Sequence, residues 1–101
     1  VINFTLDNLE DYEREFGDKF YLLPRKKRQN LKRGDLVKLI FRFEDDESDF
    51  AQVERMWVII KYNIGGNYVG ILDNDPFTES HLKCGDKVKF GYENILEVYE
   101  I

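Results

Sequence analysis

The sequence predicts a mainly β domain of the α+β kind: a small SH3-like barrel, or a strongly bent five-stranded antiparallel sheet, with one N-terminal helix. Three observations lead there. Helical three-and-four spacing of apolar residues is confined to the N-terminal part, and from Gly34 onward the spacing becomes two. Clusters of Asn, Asp and Gly cut that second part into strand-length pieces. A chain of 101 residues can bury one core and is too short for two, so 1–101 is read as one domain, with a helical extension over 1–23 and a β-domain over 31–101.

The first element is read as a helix from Leu6 to Phe16. Leu6, Leu9, Tyr12 and Phe16 keep helical spacing, early Asp7, Glu10 and Asp11 suit the positive end of the dipole, and Gly17 offers a left-handed stop. Thr5 is the expected N-cap, with Phe4 and Leu9 spaced as a hydrophobic staple. Asp18 to Leu23 reads as a short extended piece closed by Pro24, and Arg25 to Arg33 as a loop or a helical turn.

The strands follow. Val37, Leu39, Phe41 and Phe43 share one strand face. The acidic run Glu44 to Asp49 reads as a hairpin loop, and Phe50 to Tyr62 as a long second strand. Its Trp57-Val58-Ile59-Ile60 segment is apolar on both faces, which predicts a central strand covered on each side. Asn63 to Asn67 is turn chemistry, and Tyr68 to Leu72 returns from it, with Gly70 marking a bulge or sharp bend. Asp86 to Phe90 and Ile95 to Glu100 complete the set.

One pattern occurs twice. Leu31-Lys32-Arg33-Gly34-Asp35-Leu36-Val37-Lys38 and Leu82-Lys83-Cys84-Gly85-Asp86-Lys87-Val88-Lys89 share L-K-x-G-D-x-V-K. Two copies do not make a solenoid. They read as a strand-entry device: Leu plugs the core, Gly turns the chain, Asp bonds nearby amides and Val begins the inward face.

Composition narrows the function classes. Eight Phe, six Tyr and one Trp exclude a wholly disordered chain. Fifteen basic against twenty acidic residues leave a net charge of −5, which argues against a nucleic-acid binder held by overall charge. The longest apolar run, Met56 to Ile60, is far short of a membrane span. A single Cys excludes an internal disulfide framework and fits a reducing compartment, so the cytoplasm is the expected location. No charged-then-apolar leader is visible, though a chain that starts at Val1 says little on that point.

Enzyme templates fail in turn. His81 and Cys84 are the sole residues of their types, three apart near a turn, with no orienting third group. The expectation is a surface His beside a small buried thiol. Two ligands do not make a structural zinc site. Neither G-x-G-x-x-G, a phosphate loop nor a G-x-S-x-G elbow occurs. The chain is therefore expected to be no enzyme and to carry no cofactor or metal.

Binding candidates remain. Leu72-Asp73-Asn74-Asp75-Pro76 could offer carboxylates to a cation but lacks the glycine and terminal glutamate of a calcium loop. The structural reading is favoured: Asp and Asn accept backbone amides, and Pro76 fixes the exit. The segment holding Arg25, Lys26, Lys27 and Arg28 resembles a phosphate-contacting patch with Tyr21 beside it, or else a solvated loop that balances acidic neighbours. Arg55 and Trp57 share a strand face, so an Arg–Trp stack near Asp73 and Asp75 would make a surface pocket. Two functions compete. The first is a protein-interaction module with charge-complementary loops; the second is a nucleic-acid-binding barrel that uses residues 25–33. A protein partner is expected over a nucleic acid, because the acidic remainder repels phosphates.

Several short motifs in order carry a resemblance. Met56-Trp57-Val58, then Gly70-Ile71-Leu72-Asp73-Asn74-Asp75-Pro76, then Gly85-Asp86-Lys87-Val88-Lys89-Phe90 and Ile95 resemble the YegJ-like bacterial domains of unknown function, over roughly Leu31 to Tyr99. The resemblance implies a small bacterial cytoplasmic β-domain, SH3-like, with an immunity-type role suggested. It supplies no catalytic residues.

Overall fold

The computed structural model describes residues 3–44 and 51–100. Strand β1 is Asn3–Leu6, helix α1 Leu9–Phe16, helix α2 Arg25–Gln29, β2 Leu36–Glu44, β3 Gln52–Ile64, β4 Asn67–Leu72, β5 Lys87–Gly91 and β6 Ile95–Val98. Single 3-10 turns at Gly17–Lys19 and Tyr92–Asn94 follow α1 and precede β6. The acidic loop expected over Glu44 to Asp49, and the start of the next strand at Phe50, lie largely outside the described residues.

The architecture is mainly β, as expected: antiparallel strands in the order β1-β2-β3-β4-β5, with β6 also on β2, forming a nearly closed barrel-like sheet. The edge of β2 is shared. Its first half pairs with β6, Val37 opposite Val98, and its second half with β1, Phe41 opposite Leu6. Alternation sends Val37, Leu39, Phe41 and Phe43 inward against Met56, Val58, Ile60, Tyr68, Leu72, Val88 and Ile95, which form the main core. A smaller cluster of Leu9, Leu22 and Ile40 lies on the outer face, under α1 and the chain after it. That second layer covers Ile40 of β2. The outward apolar residues of β3, Trp57 and Ile59, lie outside this cluster and are half-buried, so β3 is central but not fully covered on its outer face.

Gly70 is required by close approach. A Cβ there would meet Val58 Cγ1 at 2.5 Å and Ile59 O at 2.7 Å. Opposite it, the β3–β4 register shifts between Ile60 and Tyr62, the bulge that coils the sheet.

The repeated motif is the same device twice, bond for bond. Lys32 N donates to Asp35 Oδ2 at 2.8 Å, and Lys83 N to Asp86 Oδ2 at 2.9 Å. Gly34 N reaches Ile60 O, and Gly85 N reaches Leu72 O, both at 2.8 Å. The glycines have φ of 94° and 95°, the left-handed region where a Cβ is disfavoured.

The N-terminus departs from expectation. Asn3–Leu6 is a sixth strand, and Thr5 lies within it, opposite Arg42. The cap is Asn8, whose side chain accepts from Glu10 N at 2.9 Å, so α1 starts at Leu9. Phe4 packs on Phe41 and Phe43 rather than stapling Leu9, with ring centroids 5.4 and 6.1 Å away. The basic segment opens with α2, the helical alternative of the two considered, with Pro24 as its N-cap.

Candidate interaction surface

The outward residues of β2 and β3 carry the polar chemistry. Register sets Lys38 opposite Trp57 and Ile40 opposite Arg55. Lys38 Nζ therefore lies 4.6 Å above the Trp57 ring and 3.0 Å from a Glu97 carboxylate oxygen. Tyr99 meets Trp57 edge-on, centroids 5.9 Å apart. Trp57 is half-buried among these neighbours. The expected Arg55–Trp57 stack is replaced by Lys38, because the residue directly across the ladder is nearer than the one two places along the strand.

Arg55 instead lines a groove of about 340 Å³ with Tyr21, Leu23, Leu96, Glu97, Val98 and Glu100. The segment before α2 forms one wall and β6 with the chain after it the other. Tyr21 is 78% exposed, and Tyr99 nearby is exposed as well. The result is an open trough with an apolar floor, aromatic and charged at the rim.

The basic helix is largely spent on the protein itself. Arg28, expected as a solvent-facing contact, is only 3% exposed. Its Nε donates to Leu23 O at 2.7 Å and its Nη1 to Tyr92 O at 3.1 Å. Glu10 Oε1 lies 3.3 Å from Arg25 and 3.5 Å from Arg28, and both guanidiniums stack over Tyr92. Lys27 pairs with Glu100. Within α2, Lys26 alone forms no ion pair among the described residues. A buried arginine must find acceptors, and the carbonyls of Leu23, just before α2, and of Tyr92, in the 3-10 turn, supply them here.

The loop after β4 runs along the β3 edge that β4 vacates. Asp73 N donates to Trp57 O at 2.9 Å, and Asn74 Oδ1 accepts from Trp57 N at 2.5 Å. Asp73 and Asp75 point to solvent. Further on, both carboxylate oxygens of Glu54 accept backbone amides, from Phe77 at 2.8 Å and Thr78 at 2.9 Å. Burial pushes the Glu54 carboxyl upward, but bonds from the Thr78 hydroxyl and these two amides outweigh it and hold the group below its ordinary value. Phe77 projects outward, 96% exposed.

Thus Trp57 and Asn74 are joined, Arg55 faces the groove, and α2 reaches the same groove through the Lys27–Glu100 pair. His81 and Cys84 are both exposed, which corrects the expected buried thiol: Cys84 sits with Gly85 in the turn that precedes β5. His81 lines a separate hollow of about 420 Å³ between β1 and the start of β5, with Phe4, Ser80 and Asp86. Among the described residues no group of three His, Cys, Asp or Glu could hold a metal ion, and no helix is long and apolar enough to cross a membrane.

Sequence reasoning missed Lys38, Glu54 and Tyr99. Glu54 alone left a signal, since strand parity puts it on the inward face with Met56 and Val58.

Fold and surface together define a small β-barrel-like domain with an open aromatic and charged trough on its outer face. A family model matches residues 14–98, and the chain belongs to that family: uncharacterized proteins conserved in bacteria, DUF2314. The match bears out the resemblance as far as a bacterial domain of unknown function; it does not reach the YegJ-like assignment. Searches among curated proteins and among solved structures find no match.

Proposed function

We propose that the chain is a non-enzymatic protein-interaction module of the immunity or regulatory type, and a YegJ-like member of its family. The groove beside Arg55 carries this reading. It sets an exposed Tyr21 and a charged rim over a floor of Leu23, Leu96 and Val98, the mix of aromatic anchor and apolar base that suits a protein partner. The SH3-like reading draws support from β6 returning to β2 through a 3-10 turn after β5. The nucleic-acid alternative is weakened by α2, where Arg25, Lys27 and Arg28 already have carboxylate partners. A cytoplasmic setting suits the exposed Cys84 thiol, which a reducing compartment keeps free.

The test is retention of a partner protein from a lysate of the encoding organism by the immobilised chain, compared with Tyr21→Ala and Arg55→Ala. Both side chains are exposed, so the variants should fold normally. Retention is expected to fall at least about tenfold, the effect of losing one interface anchor. Equal retention by both variants would overturn the groove as the site.

A further inference from the structure

A different surface of the molecule presents an aromatic side chain as if to be received. Phe77 is 96% exposed, which removes it from any core. Its backbone is nonetheless held: Glu54 takes the amides of Phe77 and Thr78 with one oxygen each, and the Thr78 hydroxyl is 3.0 Å from Gln52 Oε1. Asn74 pins the start of the same loop on Trp57. A loop whose backbone is already held has less to order on docking, so the cost is confined to fixing the Phe77 side chain itself.

The surroundings state what kind of pocket fits. Asp73, Asp75 and Glu79 are exposed and make no ion pair among the described residues. Three exposed carboxylates within four residues of Phe77 repel a phosphate backbone, so base stacking by Phe77 is disfavoured. A chain of net charge −5 also repels a second copy of itself.

We propose that the Asp73–Glu79 loop is a protein-docking knob, with Phe77 entering an apolar pocket rimmed by Lys or Arg on the partner. This rests on the reading of the chain as an interaction module.

The experiment replaces Phe77 by the photoreactive p-benzoylphenylalanine in the full chain, and Tyr21 likewise in a second sample. Each is irradiated in lysate, and the adducts are mapped. Expected at position 77 is an adduct to another protein, on an apolar segment flanked by Lys or Arg. Its yield should fall about tenfold between ~0.05 and ~0.5 M salt, as screening removes the charge attraction. The triple variant Asp73→Asn, Asp75→Asn, Glu79→Gln should lower it likewise. A salt-insensitive adduct, or one to nucleic acid or to a second copy, overturns the proposal. An adduct at position 21 alone overturns the knob and leaves the interaction module standing; adducts at neither position overturn both.

Discussion

The side-chain oxygen of Asn74 lies 2.5 Å from the backbone nitrogen of Trp57 and accepts its N–H, one residue beyond the last β3–β4 pair of Val58 and Leu72. A loop side chain thereby continues a ladder that the backbone has left. Asn74→Ala removes the acceptor and leaves the Trp57 amide unpaired beneath the loop. A loss of about 1–2 kcal/mol is expected in urea unfolding, the cost of an orphaned amide. Asn74→Asp, which keeps an acceptor oxygen, should recover most of it. An alanine variant with unchanged melting temperature would refute the structural role.

That Asn74 would spend its oxygen on a backbone amide was legible, because Asn in such loops does so locally. Its partner was not, since Trp57 lies seventeen residues back, across the ladder rather than within the turn. The strands β2 to β6 were legible too: Val37 to Phe43 keep a spacing of two, the β3 segment Trp57 to Ile60 is a continuous apolar run of strand length, and Asn and Gly clusters bound the pieces. β1 was not: Phe4 and Leu6 alternate over only four residues, and Leu6 also fits the helical spacing of Leu9, Tyr12 and Phe16. The groove could not be read at all. It forms where residues 21–23 meet 96–100, and no local pattern reports a contact across that separation. Arg28 looked like its basic neighbours, and only the carbonyls of Leu23 and Tyr92 make it a buried residue.

Asp7 ties the N-terminal strand to the sheet. It accepts Arg42 Nε at 2.9 Å and Nη2 at 2.8 Å, and the Tyr12 hydroxyl as well. The Arg42 bonds chiefly, against some burial and with help from Tyr12, hold its carboxyl below the ordinary 3.8. A lowered carboxyl pKa gives stability that is present above the unfolded-state value and is lost as pH falls through the folded one. Acid titration of stability should therefore steepen below about pH 4. Asp7→Asn should flatten that limb and lower stability at neutral pH. A wild-type-like acid limb in the variant would contradict the clasp.

Tyr68 joins α2 to the core from beneath. Its buried hydroxyl donates to Arg28 O and accepts from Leu31 N at 3.2 Å. Tyr68→Phe leaves both groups unpaired, and a loss of about 1–3 kcal/mol is expected. Because Arg28 belongs to the same turn, hydrogen exchange at Leu31 should quicken more than at Val88. Uniform exchange across both would argue against a local tie.

The paired strand entries predict paired costs. Gly34→Ala and Gly85→Ala each force a Cβ into the left-handed region, where a non-glycine residue costs about 1–2 kcal/mol. Open space surrounds both positions, so strain alone sets the loss. Similar destabilisation of the two variants in denaturant unfolding is expected, and a cost at one with none at the other would break the equivalence.

The central claim, that this domain meets a protein rather than a nucleic acid, is tested most directly by nuclease. The immobilised chain is exposed to lysate with and without nuclease, and the bound material is resolved for protein, RNA and DNA. A protein retained equally in both samples is the predicted result. Recovery of RNA or DNA, with the protein lost on nuclease treatment, would contradict it.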